Sequence, residues 1–233
     1  MRKSTSSAFT LVELLTVLAI IVILTGLVIS VGGYVQKKAA LSRAQGEISM
    51  LEAACESYKS DNGSYPRDTS STNSVTDLIN PKTDLIPSEA KGKYEASSLF
   101  LYKELSGDKT GSSNSPDGIP DDGQPRYLKD IEPRILKVIK NKQTNVITEV
   151  LYLQDPFGFP YAYSTSAAKD EQTYQTNLLK DPKLRKNPPP RATGNAVKGF
   201  NPGSYDLWST GGRSARKGGD TNELLWASWV KNW

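Results

Sequence analysis

Ser7-Ala8-Phe9-Thr10-Leu11-Val12-Glu13-Leu14-Leu15 leads into an uncharged apolar run from Leu14 to Val31, interrupted only by Thr16, Thr25, Gly26 and Ser30. As a helix rising ~1.5 Å per residue, these 18 residues come close to the ~30 Å thickness of a bilayer's hydrocarbon core. Glu13 sits at the mouth of the run. An acidic side chain in an apolar membrane segment is costly unless it is neutral or partnered, and the neighbouring sequence offers no cation.

Two ordinary uses of an apolar segment fit less well. A cleaved secretory signal has an apolar core of ~7 to 15 residues and a small-x-small cut site; this core is longer, and Ser30-Val31-Gly32 is a poor site. A plain single-pass anchor accounts for the length but not for Glu13. Charge alone does not orient the segment, since Arg2 and Lys3 on one side face Lys37, Lys38 and Arg43 on the other.

The residues from Arg2 to Val31 resemble the amino-terminal signal of type IV pilins and of the pseudopilins of type II secretion: a short basic leader, a small residue, then Phe-Thr-Leu-hydrophobic-Glu. The resemblance implies cleavage by prepilin peptidase between Ala8 and Phe9, methylation of the new Phe9 amine, and a cytoplasmic amino end. Ala8 stands where the family nearly always has Gly, and the late proline of the family's membrane helix is replaced by Ser30. A free α-amine at Phe9, with a pKa of ~7.7 to 8.0, would supply the missing cation. It would reach Glu13 of its own helix or of a neighbouring subunit, so Phe9 and Glu13 are the expected assembly residues.

Beyond Tyr34, the residues Leu41, Ala44, Ile48, Leu51, Cys55 and Tyr58 recur at steps of three and four, one apolar stripe of an amphipathic helix. Cys55 lies on that stripe and reads as a small core residue rather than a nucleophile. Asp61-Asn62-Gly63 and Pro66 end the helix. Tyr58-Lys59-Ser60-Asp61-Asn62-Gly63-Ser64-Tyr65-Pro66 is similar to the Tyr-x-x-Asp-Asn-Gly-x-Tyr-Pro signature of the major pseudopilin. Asp155-Pro156-Phe157-Gly158-Phe159-Pro160-Tyr161 is similar to its Asp-Pro-Trp-Gly-x-Pro-Tyr turn, with Phe157 for Trp.

Between these motifs the sequence predicts an exposed loop over Asp68 to Ser74, a short helix from Glu95 to Leu105, and a hairpin formed by Arg134 to Lys140 and Asn145 to Leu153. Asp117, Asp121 and Asp122 lie in a Gly/Asp/Pro-rich turn whose spacing is not that of an EF-hand. A strand is expected at Tyr161 to Ser164, and a basic, solvated loop from Ser166 to Gly203. Tyr205 to Gly212 resembles the family's last core strand and glycine turn, Leu225 to Trp229 reads as an edge strand, and Asn232-Trp233 matches the family's Asn-Trp ending. In several members that glycine turn holds a structural calcium. Here the resemblance implies at most a weak site, formed by backbone oxygens near Leu207 and Thr210 with Asp220 as the main carboxylate, because Arg213, Arg216 and Lys217 crowd it.

Composition narrows the function classes. The chain's 233 residues leave ~175 for one domain after a leader and a membrane helix. There is no histidine, which removes the commonest general base and zinc ligand. A formal charge of +4 provides no strong field for nucleic acid, and a single cysteine precludes an internal disulfide. No nucleophile-base pair or phosphate loop appears, so the chain is expected not to be an enzyme and to have no catalytic residue.

The sequence therefore leads to an α+β pilin fold with a long amino-terminal helix on a small antiparallel sheet. Leader 1–8, transmembrane and assembly half 9–33, amphipathic half 34–62 and globular region 63–233 are the expected divisions. The function expected from the resemblance is that of a structural subunit of a type II secretion pseudopilus, in the bacterial inner membrane as a single pass with its carboxyl-terminal domain periplasmic. A type IV pilus subunit is the alternative. Expected partners are prepilin peptidase, further copies, minor pseudopilins, the inner-membrane secretion platform and the inner membrane itself.

Overall fold

The computed structural model describes residues 10–70, 74–90, 92–111, 115–129, 131–191 and 198–233, with backbone alone over 27–32. The chain is α+β, mixing helices with two small antiparallel sheets. The expected leader 1–8 and Phe9 lie outside the described residues.

Helix α1 spans Leu11–Asn62. It ends where Gly63 adopts a left-handed φ of 74° and its amide donates to the Lys59 carbonyl at 2.8 Å, satisfying an end carbonyl of the helix. Residues through Ser42 form one compact unit and Arg43–Trp233 a second. In the first unit, the large apolar side chains from Leu11 to Leu24 are 53 to 78% exposed. Among the described residues, no helix is long and apolar enough to cross a membrane; the last third of the apolar run falls where side chains are not described.

In the second unit, Ala44, Ile48, Leu51, Ala54 and Cys55 of α1 are buried, as the stripe requires. Helix α2, Lys93–Ser106, buries Tyr94, Leu101, Tyr102 and Leu105. Strands β1, Leu136–Lys140, and β2, Ile147–Leu153, form the expected hairpin, pairing Leu136 with Leu153 and Lys140 with Ile147. Strands β3, Ala162–Ser164, β4, Asp206–Ser209, and β5, Val230–Lys231, form a second sheet with β4 in the middle. Adjacent serines of α2 tie it to both sheets: Ser98 exchanges hydrogen bonds with the Leu153 backbone at 3.0 and 3.1 Å, while Ser97 accepts from the Tyr163 amide at 3.4 Å.

Three sequence expectations are corrected. The segment expected as a solvated loop contains helix α3, Ser166–Lys180, and helix α4, Pro182–Lys186. Proline at the first position of α4 fits a helix start, and the Asp181 carboxylate accepts from the Lys183 amide at 2.8 Å. The expected edge strand at Leu225 to Trp229 is helix α5, Asn222–Ser228, capped by Thr221. Leu225 and Trp229, four residues apart, share the face turned to the core. Finally, the loop expected to be exposed over Asp68 to Ser74 is exposed only at Thr69 and Ser70 among its described residues: Ser74 is buried, its hydroxyl donating to the Asp68 carbonyl at 2.8 Å. Further along, Ile79, Leu85, Ile86 and Ala90 join Tyr94, Trp208, Leu225 and Trp229 in one buried cluster.

Candidate functional site

Thr10 and Glu13 form a reciprocal cap at the start of α1. The Thr10 amide donates to Glu13 Oε2 at 2.8 Å and the Thr10 hydroxyl at 2.9 Å, while the Glu13 amide donates to Thr10 Oγ1 at 3.3 Å. This is a capping box, satisfying amides that an α-helix leaves unpaired at its first turn. The sequence offered Glu13 no neighbouring cation; the structure gives its carboxylate hydrogen-bond donors from Thr10 at the helix start. The signal was present as Thr-x-x-Glu. Ala8 and Phe9, the expected cleavage and methylation residues, lie outside the described residues.

The oxygens of the three residues expected around calcium are mostly engaged. The Leu207 carbonyl accepts from the Asn232 amide at 3.1 Å, and the Thr210 carbonyl from the Arg213 amide at 3.2 Å. Both oxygens of Asp220 accept from Arg213 Nη1 at 2.9 Å, and Oδ2 also accepts from the Lys217 amide at 2.8 Å. Of the side-chain oxygens of Thr210 and Asp220, the buried Thr210 hydroxyl lacks a partner among the described residues. Calcium takes six to eight oxygens and gains most from anionic ones. One free hydroxyl and a carboxylate clamped by a guanidinium do not fit such an ion, and Arg213 stands as the loop's cation. The melting temperature of the full chain is expected to move by less than about 3 °C between millimolar calcium and excess chelator, below the effect of ~1 kcal/mol in a domain of this size. A fall of about ten degrees on chelation would show that calcium displaces Arg213.

Two carboxylates in the turn before the hairpin, Asp121 and Asp108, are likewise engaged. Asp121 accepts from the amides of Lys109, Thr110 and Gly111 and from the Thr110 hydroxyl. Asp108 accepts from the Tyr102 hydroxyl at 2.7 Å and the Gly118 amide at 2.7 Å. Among the described residues, no group of three or more metal-ligating side chains gathers.

The remaining motif residues hold the fold. Asp155 accepts from the Phe157 and Phe159 amides at 2.9 Å and from the Ser209 hydroxyl, locking its turn onto β4; burial pushes its carboxyl above the usual range. Phe157 lies against Gly212, whose φ of 85° and lack of Cβ permit the approach. The Asn232 side chain accepts from the Leu207 amide at 2.9 Å and donates to the Tyr205 carbonyl at 3.2 Å, so it continues the sheet beyond β5. Trp233 stacks on Phe200 with centroids 4.6 Å apart. Burial pushes the Cys55 thiol up to about 12, which makes it an inert core group.

No protein-family model matches this chain, and searches of curated proteins and of solved structures return no match.

Proposed function

We propose that this chain is a structural subunit of a type II secretion pseudopilus. In this proposal it is inserted in the bacterial inner membrane, processed by prepilin peptidase, and assembled with further copies into a periplasmic filament that drives protein secretion. The observation that carries it is the single helix α1: it starts at the Thr10–Glu13 cap, exposes its apolar side chains from Leu11 to Leu24, and continues into the buried stripe from Ala44 to Cys55. A dense exposed apolar surface of this kind needs lipid or other helices to cover it. The Tyr58 to Pro66, Asp155 to Tyr161 and Tyr205 to Gly212 stretches, in the family's order, lend support.

The Ala8–Phe9 cleavage is tested by mass spectrometry of the mature protein, which is expected to begin at an N-methylated Phe9. A mature chain starting at Met1, or beyond Val31, would remove the basis of the proposal.

A further inference from the structure

The end of α2 and the stretch that follows it enclose a cavity of about 550 Å³, within the size range of small-ligand pockets. Its buried lining is apolar apart from hydroxyls: Tyr102 and Ser106 come from α2, Leu128 from the stretch after it, and Leu136 from β1. Ile147 of β2 adds a further apolar wall. Backbone hydrogen bonds hold these walls in place. The Tyr127 and Leu128 amides donate to the Leu105 carbonyl at 2.8 and 2.9 Å, using one of the carbonyls that α2 leaves unpaired at its end. The Asp121 amide donates to the Gly107 carbonyl at 2.9 Å, and the Val150 amide holds β2 to the Pro116 carbonyl at 2.7 Å.

The charge of the lining is one-sided. Arg126 and Lys129 line the cavity with exposed side chains, and neither forms an ion pair or side-chain hydrogen bond among the described residues. Acids of the same region are committed elsewhere: Asp108 to Tyr102 and Gly118, Asp121 to the amides of residues 109–111, and Glu132 to Arg134. Among the described residues no carboxylate lines the cavity. Apolar walls with uncompensated positive charge complement a ligand that is apolar over most of its length and anionic at one end.

A peptide carboxyl terminus has such a head, but its amides need partners when buried. Pro120 and Pro133 of the lining have no N–H, and the Ser106 hydroxyl oxygen already accepts from the Asp108 amide at 3.1 Å. A hydrocarbon chain makes no such demand. We infer that the cavity binds a free fatty acid, its chain against Tyr102, Leu128, Leu136 and Ile147 and its carboxylate at Arg126 and Lys129. The site stands whether or not copies of the chain assemble.

The test titrates decanoate into the full chain, kept in solution by an amphipathic polymer, near neutral pH in a calorimeter. Saturable binding is expected. Arg126→Gln with Lys129→Gln, two exposed positions that leave the core untouched, should weaken it about tenfold or more, because the pair removes charge-assisted hydrogen bonds. Ile147→Trp, which fills the chamber, should weaken it similarly with the melting temperature nearly unchanged. Decyltrimethylammonium, with the same tail and the opposite charge, should show no saturable binding. Equal affinity of wild type and the Gln pair would place the acid on the exposed apolar surface of α1 and overturn the inference. Decyltrimethylammonium binding as tightly as decanoate would overturn it too, since the cations would then play no part. Tighter binding of acetyl-Leu-Leu than of decanoate would make the ligand a peptide end and not a fatty acid.

Discussion

Glu13→Leu should be made, cleaved and inserted at wild-type levels while filament formation and secretion fail. Removing a carboxylate from the start of an apolar helix eases insertion, and the capping box lost with it involves only the first turn of a 52-residue helix. In the proposed filament, the variant would lose the partner for the Phe9 ammonium of an adjacent subunit, which in a medium of moderate dielectric would shift a stagger equilibrium by roughly a thousandfold. The cap supplies the control. Glu13→Gln keeps acceptors for the Thr10 amide and hydroxyl but carries no charge, so it should fail in assembly as Leu does. Filaments from Glu13→Gln with none from Glu13→Leu would assign Glu13 to capping alone. Degradation or non-insertion of the Leu variant would make Glu13 a local stability element.

Trp208→Ala should cost the second unit about 3 to 5 kcal/mol, lowering its melting temperature by about 10 °C. Trp208 is fully buried in the middle strand of the larger sheet, stacks on Trp229 with centroids 5.4 Å apart, and meets Tyr94 edge-on at 5.7 Å. Its Nε1 donates to the Tyr94 hydroxyl at 3.1 Å, and that hydroxyl donates onward to the Asp84 carbonyl at 2.8 Å. The indole thus joins β4, α2, α5 and the long connection after Pro66. Trp208→Phe keeps most of the packing and the Tyr94–Asp84 bond, so about 1 to 2 kcal/mol is expected for it. Urea unfolding of the full chain measures both; a loss under ~1 kcal/mol for the Ala variant would show that the cluster repacks without its centre.

The local elements were legible wherever a periodic pattern ran between clear stop signals. The α1 stripe, its end at Asn62, the β1–β2 hairpin and the strand at β4 all follow from side-chain spacing, glycine and proline. The expectations for α3 and α5 failed for a common reason. Both are short and polar or mixed in pattern, and their helices are set by contacts far away in sequence: Thr165, at the start of α3, is anchored by Thr76 and Asp77, and α5 packs Leu225 and Trp229 on the Trp208 cluster. At the expected calcium site, spacing identified the acid and its basic neighbours, and the structure shows which of them, Arg213, pairs with Asp220.

By itself, the sequence determined the helix that opens the chain, the apolar surface that helix exposes, the acid at its mouth and the inert place of Cys55, because these depend on residues within a few turns of one another. Tertiary structure alone decided that two serines on α2 join two sheets and that Thr165, at the start of α3, meets Thr76 and Asp77. Such facts depend on which distant groups meet and which are left without a partner, and side-chain spacing along the chain carries no record of either.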